Sequence, residues 1–370
     1  MEKTFLKHKI VVGMSGGVDS SVAAVLLKEE GYDVIGVHMK YWSEKDEFEL
    51  CDTGIVNNDP SKANACCSID SLEDARRVCA KLEIPLYVVD LKGEFKKKIV
   101  DTYIEDLKIG LTPNACVICN RDVKFGLLMD YAESIGAEYV ATGHYAQIYN
   151  DEKIDRYVLK KAVDENKDQS YFLSLLSQKQ LSKIKLPLGT LTKDKVREIA
   201  SQYGLVNSKR RDSQDLCFIA NDYKTFVQKY APSKSGDIIL KESGKKIGTH
   251  DGLSLYTIGQ RKGLSTIINK PLYVSFKDYG NNVLVVDYNA VNDNTKVILK
   301  DFNWIKIPNK NTKLNFVGRY QGIGRVVDSI THDGYDVVVG FNDSGVKFSA
   351  GQIGALYEGD ILIGAGKIID

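Results

Sequence analysis

The residues with the clearest chemical meaning are Ser15-Gly16-Gly17-Val18-Asp19-Ser20-Ser21, which follow the apolar run Lys9 to Met14 and precede the helix-forming VAAVLLKEEGY. Two adjacent glycines let a backbone approach an anion closely, and the next helix offers unpaired N–H groups and the positive end of its dipole. Ser15, Ser20 and Ser21 add hydroxyl donors, so the segment reads as a phosphate cradle. It has neither the Gly-Lys-[Ser/Thr] ending of a Walker loop nor the dinucleotide-binding pattern. The lysine that would offset the charge of a leaving γ-phosphate is therefore missing from the loop. The chain also carries seven cysteines, an odd and sparse set that fits no extracellular disulfide framework and directs attention to thiol chemistry or metal binding.

Such a loop must be held by a sheet. The run Lys9 to Met14 reads as a buried strand, with a helix ending at Gly31 and a second strand in DVIGVHM. The helix SLEDARRVCAKLEI takes Ser71 as its N-cap and leads into the strand PLYVVDL; GLLMDYAESIGA as helix and EYVATGHYAQIY as one strand repeat the alternation. This rhythm implies an α/β fold, a doubly wound parallel sheet with right-handed crossovers. The helix LTKDKVREIASQYGL follows, and after about residue 237 the period is mostly two, in short β-branched runs that suit a small barrel or sandwich. Linkers are expected near 208–212 and 287–292, giving domains over 1–208, 209–288 and 289–370. Cys79 shares a helical face with Leu72, Ala75, Val78 and Leu82 and is expected in the core. The stretch Cys51 to Cys67 has no periodicity and is expected to be a mobile loop, with Cys51, Cys66 and Cys67 incidental.

Composition bounds the partners. The 370 residues are 43% hydrophobic and 27% charged, which suits a globular chain of two or three domains. Lys+Arg 50 against Asp+Glu 49 leaves a net charge of +1, so any polyanion site must be a local patch. The short apolar run near the N-terminus and the absence of an eighteen-residue apolar stretch point to a soluble, cytoplasmic protein.

Further segments carry a resemblance across nearly the whole length: TPNACVICNRDVKF (112–125), ATGHYAQ (141–147), NKDQSYFL (166–173), RDSQDLCFI (211–219), IGQRKGL (258–264), GRYQ (318–321) and AGQIGALY (350–357). With SGGVDSS, which resembles the PP-loop of the ATP pyrophosphatase superfamily, the chain resembles the tRNA-specific 2-thiouridylases of the MnmA/TrmU type. The resemblance implies a PP-loop domain, a small central domain and a C-terminal β-barrel that together replace the C2 oxygen of the wobble uridine, position 34, with sulfur. It implies that Gly13, Met14, Ser15, Gly16, Gly17, Val18, Asp19, Ser20 and Ser21 hold ATP, with its Mg2+, and that Met39 and Gly143 border the adenosine. It sets Asn114, Ala115 and Cys116 beside the target base, and His144, Lys167, Asp168, Gln169, Arg319, Tyr320 and Gln352 against tRNA. It makes Cys217 a persulfide carrier and Cys119 the attacking nucleophile, with a cysteine desulfurase or relay protein as sulfur donor.

Read as chemistry, adenylation makes the C2 oxygen a leaving group, and a persulfide attacked by a second thiol liberates sulfur and leaves a disulfide to be reduced. Both cysteines are expected on loops near cations, Arg121 and Lys124 after Cys119 and Lys209, Arg210 and Arg211 before Cys217. Many members of that family carry aspartate where this chain has Cys116, so Cys116, Cys119 and Cys217 form an alternative three-thiolate set for an iron–sulfur cluster. For RNA, Lys306, Lys310, Lys313, Arg319 and Arg325 form a basic stretch with Tyr320 available to stack on anticodon-loop bases. GLTPNAC is expected to be mobile and to order over RNA. Two rivals remain: an amidating PP-loop ligase, which needs no thiol pair, and an RNA-binding scaffold without chemistry.

Overall fold

A computed structural model describes residues 8–44, 69–207, 216–219, 222–268, 270–289, 291–292, 295–308, 312–342, 345–346 and 348–369. The expectations for Cys51, Cys66, Cys67, Lys209, Arg210, Arg211 and Lys310, for the first linker, and for Ala290 of the second lie outside these residues. The chain divides into two compact units, the first formed by 1–100, 116–220 and 360–362, the second by 101–115, 221–359 and 363–370.

The first unit is built on five parallel strands in the order Leu86–Asp90, Asp33–Lys40, Lys9–Gly13, Tyr139–Ala141, Ile184–Lys185. The first strand in sequence therefore lies centrally, and the strand order reverses beside it. In open α/β sheets that switch point is where ligands bind, because the loops leaving the two flanking strands diverge there. The Ser15–Ser21 turn leaves one of those strands and Thr142-Gly143-His144 leaves the other. The central strand is fully buried from Ile10 to Val12, and it packs with Val22, Ala23 and Val25 of helix Val18–Glu29 in one apolar core.

Two sequence expectations shift here. Helix Ile69–Lys81 is already running before Ser71, which is therefore not its N-cap. Ser71 is fully buried, and its carbonyl lies so close to Gly16 that a Cβ built there would meet it at 2.2 Å. The expected single strand over EYVATGHYAQIY is two: Tyr139–Ala141 belongs to the parallel sheet, whereas Gln147–Asp151 pairs antiparallel with Arg156–Lys160. The intervening residues turn away because Gly143 must pass directly over the start of the phosphate-loop helix.

Residues 115–134 form a continuous helical run whose middle, Asn120–Leu127, is wound as a π-helix between Ala115–Cys119 and Leu128–Ser134. Gln180 donates its amide to the carbonyls of Arg121 (2.7 Å) and Phe125 (2.8 Å), supplying bonds that the widened turns leave open.

Among its described residues the second unit has two larger sheets and the two-stranded pair Val291–Asn292 with Gly345–Val346. One has the order Tyr273–Asp278, Val283–Asp287, Gly236–Leu240, Lys246–His250, with the middle pair parallel, over a core of Ile238, Leu253, Val274, Leu284 and Val286. The other runs Arg325–Val326, Asn315–Val317, Ile353–Glu358, Ile361–Ile368, Lys296–Trp304, Asp336–Gly340, Ser329–Asp333. Its two edge strands are consecutive in the chain. Between them Val327 donates to Leu314 at 2.9 Å and Asp328 to Gly340 at 2.9 Å, so the link bonds to both sides and closes a barrel.

Candidate active site

Gly16 adopts φ +74, which a side chain disfavours, and Gly17 begins helix Val18–Glu29 with no side-chain cap. The helix N-terminus is thus left for an anion. Two of the loop's hydroxyls turn inward, while the exposed Ser15 Oγ accepts from the Gly17 N–H at 3.4 Å. Ser20 Oγ donates to the Gly17 carbonyl at 3.1 Å and accepts from the Ser15 amide at 3.2 Å, while Ser21 Oγ donates to the same carbonyl at 2.9 Å. Ser21 is fully buried. Its hydroxyl shapes the loop from behind.

Asp19 is held by tertiary partners that spacing did not reveal. Lys193 Nζ lies 2.8 Å from both carboxylate oxygens, and the Tyr145 hydroxyl donates to Oδ1 at 2.7 Å. Lys193 opens helix Lys193–Gln202 behind the N-cap Thr192, and the Asp164 carboxylate accepts from its backbone N–H at 2.9 Å. A separate helix thus brings a cation to the loop, where it balances Asp19. Neutralising Asp19 keeps a carboxylate in the first turn from repelling a polyphosphate. The only sequence signal was Thr-Lys at a helix start, which is too common to select it.

Around this centre Gly143 packs so closely that a Cβ would meet Asp19 C at 2.5 Å and Ser20 N at 2.6 Å. Gly143→Ala is expected to destabilise by about 1–3 kcal/mol through overpacking and to weaken ATP binding as the helix start is displaced; calorimetry with a nucleotide titration checks both. Met39 lies buried beside Gly13, its sulfur accepting from the Tyr41 hydroxyl at 3.2 Å. His144 Nδ1 is 2.6 Å from Thr142 Oγ1, and desolvation, with the Lys124 charge second, holds its pKa well below the usual imidazole range. It is held in its neutral form at pH 7.

Of the stretch 167–169, Asp168 accepts from Ala162 N (3.0 Å), Ser170 N (3.1 Å) and Ser170 Oγ (2.8 Å). Gln169 brackets Tyr145, its Oε1 accepting from Tyr145 N at 2.9 Å and its N–H donating to Tyr145 O at 2.8 Å. Gln169 thus braces the residue that touches Asp19, and Asp168 ties Ala162 to Ser170 next to it in the chain.

The thiols differ in setting. Cys116 is exposed, Cys119 buried and Cys217 half-buried. Cys119 is not on a loop as expected but ends the helical turn Ala115–Cys119. The next residue, Asn120, is buried and donates to Phe172 O at 2.9 Å, fixing that end of the turn. Arg121 is forked onto Asp122 at 2.6 and 2.9 Å, which offsets its charge locally. Beside Cys217, Phe218 is buried against Phe95 with ring centroids 6.1 Å apart. Among the described residues no three His, Cys, Asp or Glu side chains stand together so as to hold a metal ion, so Cys116, Cys119 and Cys217 as placed do not fit a cluster's ligand set. Cys79 is core, its thiol pushed up to about 12 by burial.

In the second unit the residues before the thiols are tied down, contrary to the expected mobility of GLTPNAC. Thr112 N–H donates to Ala350 O at 2.8 Å, Gln352 Nε2 donates to Thr112 O at 3.0 Å, and Asn114 Nδ2 lies 3.4 Å from Gln352 Oε1. Two residues singled out separately, Asn114 and Gln352, are thereby brought together. At the start of this stretch the buried Lys277 ammonium donates to Gly110 O (2.9 Å) and Tyr256 O (3.1 Å). Burial lowers its pKa from 10.5 to about 8. The unfolded chain binds the extra proton between those values, so the penalty of burying the charge is fully present below about pH 8 and is relieved as pH rises. Wild-type stability relative to Lys277→Met is expected to climb by up to about 3 kcal/mol between about pH 7 and pH 10 in urea titrations. A flat difference refutes the assignment.

The basic stretch does not form one solvated patch. Arg319 and Lys313 are exposed, but Lys306 pairs with Glu358 at 3.3 Å and the Arg325 guanidinium is buried 4.0 Å from the Phe341 ring centroid. Arg325 belongs to the barrel's aromatic core with Phe316, Phe341 and Phe348. Arg319 and Tyr320 occupy a turn closed by Gly322 N–H to Arg319 O at 3.0 Å.

A five-stranded parallel sheet with a glycine-serine anion loop at its switch point defines a PP-loop, nucleotide-using α/β protein. Family models described as the tRNA methyl transferase HUP domain, the tRNA methyl transferase PRC-barrel domain and the aminomethyltransferase beta-barrel domain match residues 8–221, 224–287 and 294–368. The tRNA-specific 2-thiouridylase MnmA of Clostridioides difficile is 40% identical over 368 residues, 98% of this chain and 99% of that protein. Its counterpart in Clostridium botulinum strain Eklund 17B is 41% identical over 98% of each chain. The chain belongs to the tRNA-specific 2-thiouridylase family, and is an enzyme of the tRNA sulfurtransferase class. Among solved structures, a 4-thiouridine synthetase in complex with RNA and ATP is 18% identical over 60% of this chain and 49% of its own, with a TM-score of 0.35. No helix among the described residues is long and apolar enough to cross a membrane.

Proposed function

We propose that the protein is a cytoplasmic, ATP-dependent tRNA uridine 2-sulfurtransferase acting on the wobble uridine in the anticodon loop. The observation that carries the reading is the uncapped Gly16-Gly17 helix start at the sheet's switch point, with Lys193 neutralising Asp19 beside it. The loop's N–H groups hold the ATP phosphates, accompanied by Mg2+, and Met39 and Gly143 border the adenosine. The uridine C2 oxygen attacks the α-phosphorus and expels pyrophosphate. Sulfide then adds at C2, and AMP departs with the former carbonyl oxygen.

The sulfide comes from a persulfide on Cys217, loaded by a cysteine desulfurase or a relay protein. The Cys119 thiolate attacks Cys217 Sγ, forming a disulfide and releasing hydrosulfide, and a thiol reductant restores both groups. That bond requires the two Cα atoms to approach within about 7 Å. Asn114, Ala115 and Cys116 receive the everted base. His144, Lys167, Asp168, Gln169, Arg319, Tyr320 and Gln352 carry tRNA contacts, across domains spanning 1–208, 209–288 and 289–370. The persulfide is preferred to a cluster because the described thiols do not gather as metal ligands.

The test incubates the protein, purified anaerobically and assayed for iron and acid-labile sulfide, with ATP, tRNA and a persulfide donor. Pyrophosphate release that requires tRNA, together with 2-thiouridine in the nucleoside mass spectrum and no stoichiometric iron, is the expected result. Absence of tRNA-dependent pyrophosphate release rejects adenylation, and thiolation that depends on bound iron rejects the persulfide route.

A further inference from the structure

Asn207 was singled out by no spacing argument, yet it touches the phosphate loop directly. The residue is 3% exposed. Its Nδ2 donates to the Gly16 carbonyl at 2.9 Å and to Ser21 Oγ at 2.9 Å, which uses both amide hydrogens. Its Oδ1 is buried with no hydrogen-bond partner among the described residues. The amide orientation is set by chemistry, since the reverse assignment would point an oxygen at the Gly16 carbonyl.

A diglycine peptide can rotate about its flanking bonds at little steric cost. Rotating the Gly16–Gly17 peptide would turn a carbonyl toward the helix mouth, where it would repel phosphate oxygens. The loop holds both glycine carbonyls away from that mouth. Ser20 and Ser21 hydroxyls take the Gly17 carbonyl, while Asn207 takes the Gly16 carbonyl and also fixes the Ser21 hydroxyl that completes the set. A buried amide with an unpaired oxygen is a net burden to folding, whereas an aliphatic side chain of similar size would carry none.

We propose that Asn207 is a positioning residue for the nucleotide: it restrains the Gly16–Gly17 peptide so that the loop presents N–H groups, not carbonyls, to the phosphates. This rests on the ATP-dependent reading above. Asn207 touches no reacting atom itself.

Two substitutions that keep the branched shape of the side chain test it in the full chain, with ATP affinity from calorimetry, tRNA affinity from filter binding, and Tm. Asn207→Leu removes the donors and the orphan oxygen together, and is expected to keep or raise Tm while weakening ATP about tenfold or more, tRNA affinity staying within about twofold. Asn207→Asp sets an oxygen against the Gly16 carbonyl and is expected to weaken ATP further. ATP affinity of Asn207→Leu within about twofold of wild type overturns the proposal, as does a parallel loss of Tm, ATP and tRNA binding in both variants. Failure of the wild type to bind ATP would instead reject the proposed function.

Discussion

Cys217→Ser is expected to leave tRNA-dependent pyrophosphate release within about twofold of wild type while lowering 2-thiouridine formation by about 10³-fold or more. In the mechanism proposed above the two halves of the reaction use different groups: adenylation depends on the loop at the sheet's switch point and on the C2 oxygen of the base, and neither involves a thiol. Serine is near-isosteric with cysteine and cannot carry a persulfide, so the activated RNA forms and then waits for sulfur. Its slow fate is hydrolysis, which regenerates uridine and consumes ATP without product. Cys119→Ser should block the same product at a different stage, with the extra sulfur still on Cys217 and visible as a mass increment on its peptide. Thiolation by Cys217→Ser at a wild-type rate would remove Cys217 from the mechanism. Loss of pyrophosphate release in both variants would mean that the thiols act in adenylation or in folding.

Lys193→Met is expected to destabilise the protein by about 2–4 kcal/mol and to weaken ATP binding by more than tenfold, roughly, because it strands the Asp19 carboxylate beside the phosphate site. Lys193 is 8% exposed and Asp19 29%, so the lysine has the larger desolvation to offset and the aspartate retains some water. Breaking one side of such a pair costs more than removing both. The double variant Asp19→Asn/Lys193→Met is accordingly expected to recover a large part of the stability lost by the single lysine change. Urea titrations of the four proteins measure that coupling. Strictly additive losses would show that the pair is not energetically linked.

Much of the sheet could be read from the sequence because an element buried on every side is a continuous apolar run, as Ile10 to Val12 and Val22 to Val25 are, while one with a single buried face repeats at its own period, as the face around Cys79 does. The reading failed where a residue answers to something remote. Ser71 has the local signature of an N-cap, but its surroundings are set by Gly16 and its helix begins earlier. Thr142 to Ala146 look like the middle of a strand, yet Gly143 must bridge onto the phosphate-loop helix. Arg325 looks like part of a basic surface, and a planar guanidinium lying over the Phe341 ring, with Phe348 to one side, satisfies the barrel core instead.

The sequence by itself determined the identity of the anion loop, since two glycines before a helix set backbone conformation locally, and it supplied the thiols whose chemistry follows from their side chains. Only the tertiary structure decided which groups hold that loop in order. Lys193 lies 174 residues from Asp19, and Asn207 lies 191 residues from Gly16. A one-dimensional pattern records which face of an element is buried; it does not record which distant side chain arrives with the charge or the donor that the buried face requires.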